Sequence, residues 1–203
     1  MEGAYKAKFF VNNFLKSDIP ERVFEYRNAK RPEGQWFLDD ETLPTPENFL
    51  IYEPVALDTW PTIITLVMSS SNMSRTAYTP NLSDPLYRIT YAMRTYIWVR
   101  SEGAEECTVM RDRLTTVVRS ALLDHPCLRA NDPENYLEVL IDEGTMREEF
   151  SDLTLLKGDR VMAGAYISYD MTINERITRK PIGPVTEFDV EAVSLGYGYA
   201  DEE

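Results

Sequence analysis

Leu86-Tyr87-Arg88-Ile89-Thr90-Tyr91-Ala92-Met93-Arg94-Thr95-Tyr96-Ile97-Trp98-Val99-Arg100 alternates along its whole length. Tyr87, Ile89, Tyr91, Met93, Thr95, Ile97 and Val99 fall on one face, and Arg88, Thr90, Ala92, Arg94, Tyr96, Trp98 and Arg100 on the other. A period of two predicts a long strand with one buried face, because successive side chains of a strand point to opposite sides. Val161 to Glu175 repeats the pattern, with Val161, Ala163, Ala165, Ile167, Tyr169, Met171 and Ile173 on its apolar face. Thr62 to Met68 is β-branched and reads as a strand, as does Tyr136 to about Thr145, and Phe49 to Tyr52 as a brief one.

Between these strands, Cys107, Met110, Leu114, Val117, Val118, Ala121 and Leu122 recur at helical spacing. They predict a helix from about Ala104 to Leu123 with Arg111, Asp112, Arg113 and Arg119 on its wet side. It ends at Asp124-His125-Pro126, since proline disfavours helical geometry in the residue before it. Residues 5 to 29 predict two short helices, with Ser17-Asp18-Ile19-Pro20 as a cap and a first-turn proline between them. The order α-α-β-β-α-β-β implies an α+β fold: a mostly antiparallel sheet of four to five strands with helices packed on one face. One domain over residues 1–179 is expected, with 180–203 a C-terminal extension rich in Pro, Gly and acid.

The chain has 203 residues, 34 acidic against 21 Lys plus Arg, and a net charge of −13. That balance opposes binding to phosphate backbones or anionic membranes, both of which need clustered cations. No basic stretch runs into an apolar core at the start, and no apolar run approaches the ~20 residues of a membrane span, so a cytoplasmic protein is expected. If Cys107 and Cys127 bracket one helix, they stand about 30 Å apart and cannot be bridged.

Catalytic groups are scarce. His125 is the single histidine, and Ser120, five positions back on a helix, faces about 140° away from it. One histidine and two distant cysteines draw no zinc site. Asp39-Asp40-Glu41, Asp142-Glu143 and Glu148-Glu149 lack the spacing of a calcium loop. Gly196-Tyr197-Gly198-Tyr199 has no following helix to make a dinucleotide fingerprint. The expectation is a protein with no catalytic residues, metal or cofactor.

Two surface features stand out instead. The polar face of the long strand joins Arg88, Arg94 and Arg100 to Tyr96 and Trp98, residue types enriched at interface hot spots. The same face could equally be covered by the N-terminal helices with arginines at its margins. Ser69 to Pro85 reads as a connection far longer than the usual two to five residues of a hairpin. Its Ser71, Asn72, Met73, Arg75 and Tyr78 are candidates for ordering against a neighbour.

The paired N-terminal helices around Ile19-Pro20, the succession Tyr91 to Arg100, Met110-Arg111-Asp112-Arg113-Leu114 and Val118 to Leu123, and the late strand ending Asp170-Met171-Thr172-Ile173-Asn174-Glu175 together resemble the tail-terminator (tail-completion) proteins of long-tailed bacteriophages. The resemblance covers Tyr5 to Arg176 and implies a homo-hexameric ring at the head-proximal end of the tail tube. Such a ring, assembled in the host cytoplasm and carried in the virion neck, ends tube polymerisation and meets a head–tail connector protein. Genomic DNA passes through it without specific binding. A ring needs two different contact surfaces per subunit, and the arginine face could meet Glu134, Glu138, Asp142 and Glu143 of a neighbour. The alternatives are a head-completion or connector adaptor protein, a small metal-dependent hydrolase and a cytoplasmic interaction module.

Overall fold

The computed structural model describes residues 3–29, 42–54, 56–77, 86–129, 138–150, 155–157 and 160–176. Helix α1 (Gly3–Asn28) leads into strand β1 (Asn48–Leu50), then the long strands β2 (Thr62–Ala77) and β3 (Leu86–Ser101). Helix α2 (Ala104–Asp124) is followed by β4 (Cys127–Arg129), β5 (Glu138–Phe150), β6 (Leu155–Lys157) and β7 (Arg160–Arg176). One sheet runs in the order β1-β2-β3-β7-β5-β4, with the short β6 also paired to β7. Every pairing is antiparallel except β1 with β2. The α+β class therefore stands. The sheet exceeds the expected four to five strands because β4 and β6, three residues each, are too short to show a periodicity.

The two expected N-terminal helices are one, with Pro20 in its interior. Ala7, Val11, Leu15, Ile19 and Val23 recur every fourth residue and are all fully buried. An interior proline costs about 3 kcal/mol. Burying Ile19 and Val23 on the same stripe returns about 1.5–3 kcal/mol each, so continuing the helix is the better solution. Arg22 then pairs with Asp18 one turn back and with Asp124 at the end of α2, at 2.5 Å, clamping the two helices together. Further along, Arg27 donates to the Leu43 carbonyl and fixes the chain before β1.

The core lies between the helices and the apolar faces of β3 and β7, whose Ile89, Met93, Ile97, Val99, Ile167, Met171 and Ile173 are buried as their alternation predicts. Arg111, expected on the wet side of α2, is 8% exposed. Its guanidinium lies 5.1 Å over the Phe150 ring and pairs with Asp112 at 2.8 Å. Its aliphatic stem makes this possible, since arginine can bury its stem and stack its head. Arg119 similarly reaches Glu148 at 3.0 Å.

Strand β5 extends beyond the expected Thr145 through an irregularity. Between Asp142 and Arg147, five steps along β5 oppose the two from Asp170 to Ser168 on β7. The odd excess reverses the side-chain parity: Val139 and Ile141 face the core before it, Glu148 and Phe150 face α2 after it. Thr145 Oγ1 accepts the Asp170 N–H at 2.8 Å, supplying the acceptor where the ladder lapses. Both cysteines are free; burial pushes the Cys107 thiol up, while Cys127 is exposed.

Tyr169 is fully buried, and its hydroxyl meets Thr95 Oγ1 at 3.0 Å. Burial holds this phenol protonated well beyond the ordinary tyrosine range. Above pH ~10 the unfolded chain releases this proton and the folded chain does not. Stability is therefore present below that pH and declines as pH rises. Tyr169→Phe is expected to cost about 1 kcal/mol at neutral pH, by orphaning Thr95, and to flatten the alkaline decline. Urea unfolding at pH 7 and 10.5 checks both; an alkaline slope unchanged by the substitution would contradict the burial argument.

Candidate assembly surface

Both helices lie on one face of the sheet, so the face carrying Arg88, Arg94, Tyr96, Trp98 and Arg100 is the opposite one. The possibility that the N-terminal helices cover it is thereby settled against. Across the β3–β7 ladder, Arg94 pairs with Ser168, Tyr96 with Tyr166 and Trp98 with Gly164. Tyr96 and Tyr166 stand 5.3 Å apart between ring centroids, tilted by 47°. The Arg94 guanidinium lies 4.7 Å above the Tyr166 ring. Its contact with the Tyr96 hydroxyl is long at 3.5 Å, so the ring face is the firmer partner. The Tyr166 hydroxyl donates to Glu149 on β5, and this bond, together with the carboxylate's charge, raises the phenol's pKa.

This arrangement makes a half-buried aromatic and cationic strip. Gly164 is part of it: a Cβ there would stand 2.7 Å from the Trp98 ring, so the indole lies where any other residue would put its side chain. Beside the strip is a groove of about 540 Å³ lined by Met68, Ser69, Arg94, Thr145, Arg147 and Asp170.

The other expected residues are spread across the same sheet. Arg88 is exposed opposite Ser74 and Asn174. Asp142 and Glu143 are exposed at the β5 irregularity, where Asp142 Oδ1 accepts the Gly144 N–H at 3.0 Å and holds a tight bend. Glu134 and the Glu138 side chain lie outside the described residues, as does Tyr78. Arg100, although on the same face, stands at the far end of β3 beside a separate cavity.

The expected loop from Ser69 is largely strand. β2 continues to Ala77 and pairs with β3 to Leu86, because backbone hydrogen bonding can propagate through a polar stretch that has no core to bury. Ser71, Asn72, Met73 and Arg75 are exposed on this arm. The register shifts repeatedly along it, and Asn72 takes a positive φ of 51° within one of the shifts. Shifts of this kind blunt an edge strand against indiscriminate pairing. Met68 and Met73, 47% and 62% exposed, are the large apolar side chains that β2 presents to solvent.

Sequence reasoning missed Tyr166, Glu149, Arg147 and Met68. Tyr166 and Met68 were legible as outward or terminal strand residues, but their neighbours depend on a register that no local signal prints. Ser120 and His125 do not meet: the Ser120 hydroxyl donates to the Thr116 carbonyl at 2.9 Å, and His125 packs edge-on to Phe14 at 5.4 Å. Among the described residues, no group of three or more His, Cys, Asp or Glu is placed to hold a metal, and no helix is long and apolar enough to cross a membrane.

No protein-family model and no curated protein matches the chain.

Gly164→Ala is expected to destabilise the fold by about 1–3 kcal/mol through overpacking against Trp98, and a Trp98→Ala background should relieve most of that cost. Thermal unfolding of the two single variants and the double variant measures this coupling; additive effects would show that the two side chains are not in contact.

Proposed function

We propose that the chain is the subunit of a closed ring, a tail-terminator-like protein that ends a bacteriophage tail tube at its head-proximal end and offers a surface to the head–tail connector. The observation that carries this reading is the presence of two different surfaces at opposite edges of one sheet. The β2 arm carries Met68 and Met73, and the β5 bend carries Asp142 and Glu143. The strip of Arg94, Tyr96, Trp98 and Tyr166, on the face turned away from α1 and α2, lies between them. Heterologous contact, in which one patch meets a different patch on the next copy, is what closes a ring.

The position of Arg94 refines the role expected for it. Its guanidinium is seated on Tyr166 of its own chain, so it contributes to an interface as part of a stacked platform. A net charge of −13 suits a ring through which DNA passes, since a negative lumen does not hold phosphate. This role is structural, with no reaction, metal or cofactor, and its site of action is the neck of the virion.

Met73→Asp and Arg94→Glu are each expected to abolish the ring while far-UV circular dichroism stays that of the wild type. Wild-type protein added to polymerising tail tube protein should shorten the tubes and sit at one end of each in negative stain. Rings that survive both substitutions would contradict the assignment of these surfaces. Binding to the connector without any effect on tube length would favour the adaptor alternative.

A further inference from the structure

On the side of α1 turned away from its buried stripe, Tyr5 and Phe9 are both exposed and stack at 6.0 Å between ring centroids. Lys16 follows on the same line two turns after Phe9, with Lys6 and Lys8 to either side. Residues 3–17 hold these three lysines and no Asp or Glu, in a chain of net charge −13. An exposed aromatic pair gains from being covered, and its flanking cations favour an acidic cover. The register places this face in the fold. α2 ends at Asp124 and leads into β4, whose Cys127 pairs with Leu140, itself opposite Thr172 near the end of β7. There His125 packs on Phe14 and Asp124 pairs with Arg22, while Tyr26 shares a cleft with Val117 one to two turns back along α2. α1 therefore runs antiparallel to α2, and its first turns pass beyond the end of α2, on the side where β7 stops at Arg176.

We propose that residues 187–195 of the same molecule bind across this face of α1, with apolar side chains on Tyr5 and Phe9 and carboxylates beside Lys8 and Lys16. Charge and reach select this occupant. From position 185 on, the sequence has six acidic residues and no Lys or Arg, and Glu187, Asp189 and Glu191 alternate with Phe188, Val190 and Ala192. The stretch from Arg176 to Glu187 spans up to about 36 Å when extended, more than the ~20 Å from Gly3 to Lys16. The opposite face of the sheet offers an acidic segment no such attraction, because its arginines stand among Asp142, Glu143, Glu149 and Asp170. Weak contacts suffice for a tethered segment, which a short link holds at roughly millimolar effective concentration. This docking does not depend on the ring reading, since α1 lies on the side of the sheet away from the Arg94 strip.

The test uses the dilute full chain carrying Phe9→p-benzoylphenylalanine, irradiated and then mapped by peptide mass spectrometry. The expected product has the mass of a single chain and joins position 9 to residues 187–195. Lys8→Glu/Lys16→Glu should lower its yield about fivefold with far-UV circular dichroism unchanged. Glu187→Lys/Asp189→Lys/Glu191→Lys should do the same, and the two sets together should restore the yield. The second set lies outside the described fold, so it reads the contact even where the first disturbs α1. A product of twice the chain mass would give the face to a neighbouring copy and overturn the proposal. So would a product joined only to other residues, or a yield that neither charge reversal changes.

Discussion

The pairing of β3 with β7 is the constraint on which the rest of the molecule depends. From Leu86 with Arg176 to Ser101 with Val161 the register runs without interruption. Both strands alternate, so this single register aligns two apolar faces on one side and two polar, aromatic faces on the other. A slip of β7 by one residue against β3 would turn Ile167 to water and Tyr166 to the core, while Ile97 and Trp98 kept their faces. The fully buried Thr95–Tyr169 hydrogen bond sits in the middle of this ladder and is satisfied only in the observed register.

Everything outward follows from that alignment. The helices occupy the apolar side because α1 and α2 each have one continuous apolar stripe to bury. Neither α1 nor α2 lies on the polar side. There, Arg94, Tyr96 and Tyr166 interlock across the two strands, and Trp98 uses the space that Gly164 leaves. At the edges the sheet departs from regularity, along the β2 arm and at the Asp142 bend of β5. Irregular edges expose side chains while discouraging free strand addition.

Much of this was legible in the sequence, for identifiable reasons. β3, β7 and α2 are long and strictly periodic, so their faces could be assigned residue by residue. Arg111 was misplaced because the Phe150 ring that receives it comes from a strand whose parity is reversed by an irregularity. The α1 break was misjudged because Pro20 is a strong local signal, whereas the stripe from Ala7 to Val23 that overrides it is a tertiary one. The β2 arm read as a loop because serines carry little strand propensity, and its pairing is imposed by β3. The candidate surface was half legible: its arginines and aromatics could be placed on one face, but their partners could not.

The central proposal is that the face of this sheet turned away from α1 and α2, with its edges, joins copies of the chain. The mass of the purified protein by light scattering, taken across concentration and salt, tests it most directly. The account predicts a discrete species of about six times the 23.4 kDa chain. A chain that stays monomeric at every concentration, and also in the presence of tail tube protein, would contradict it.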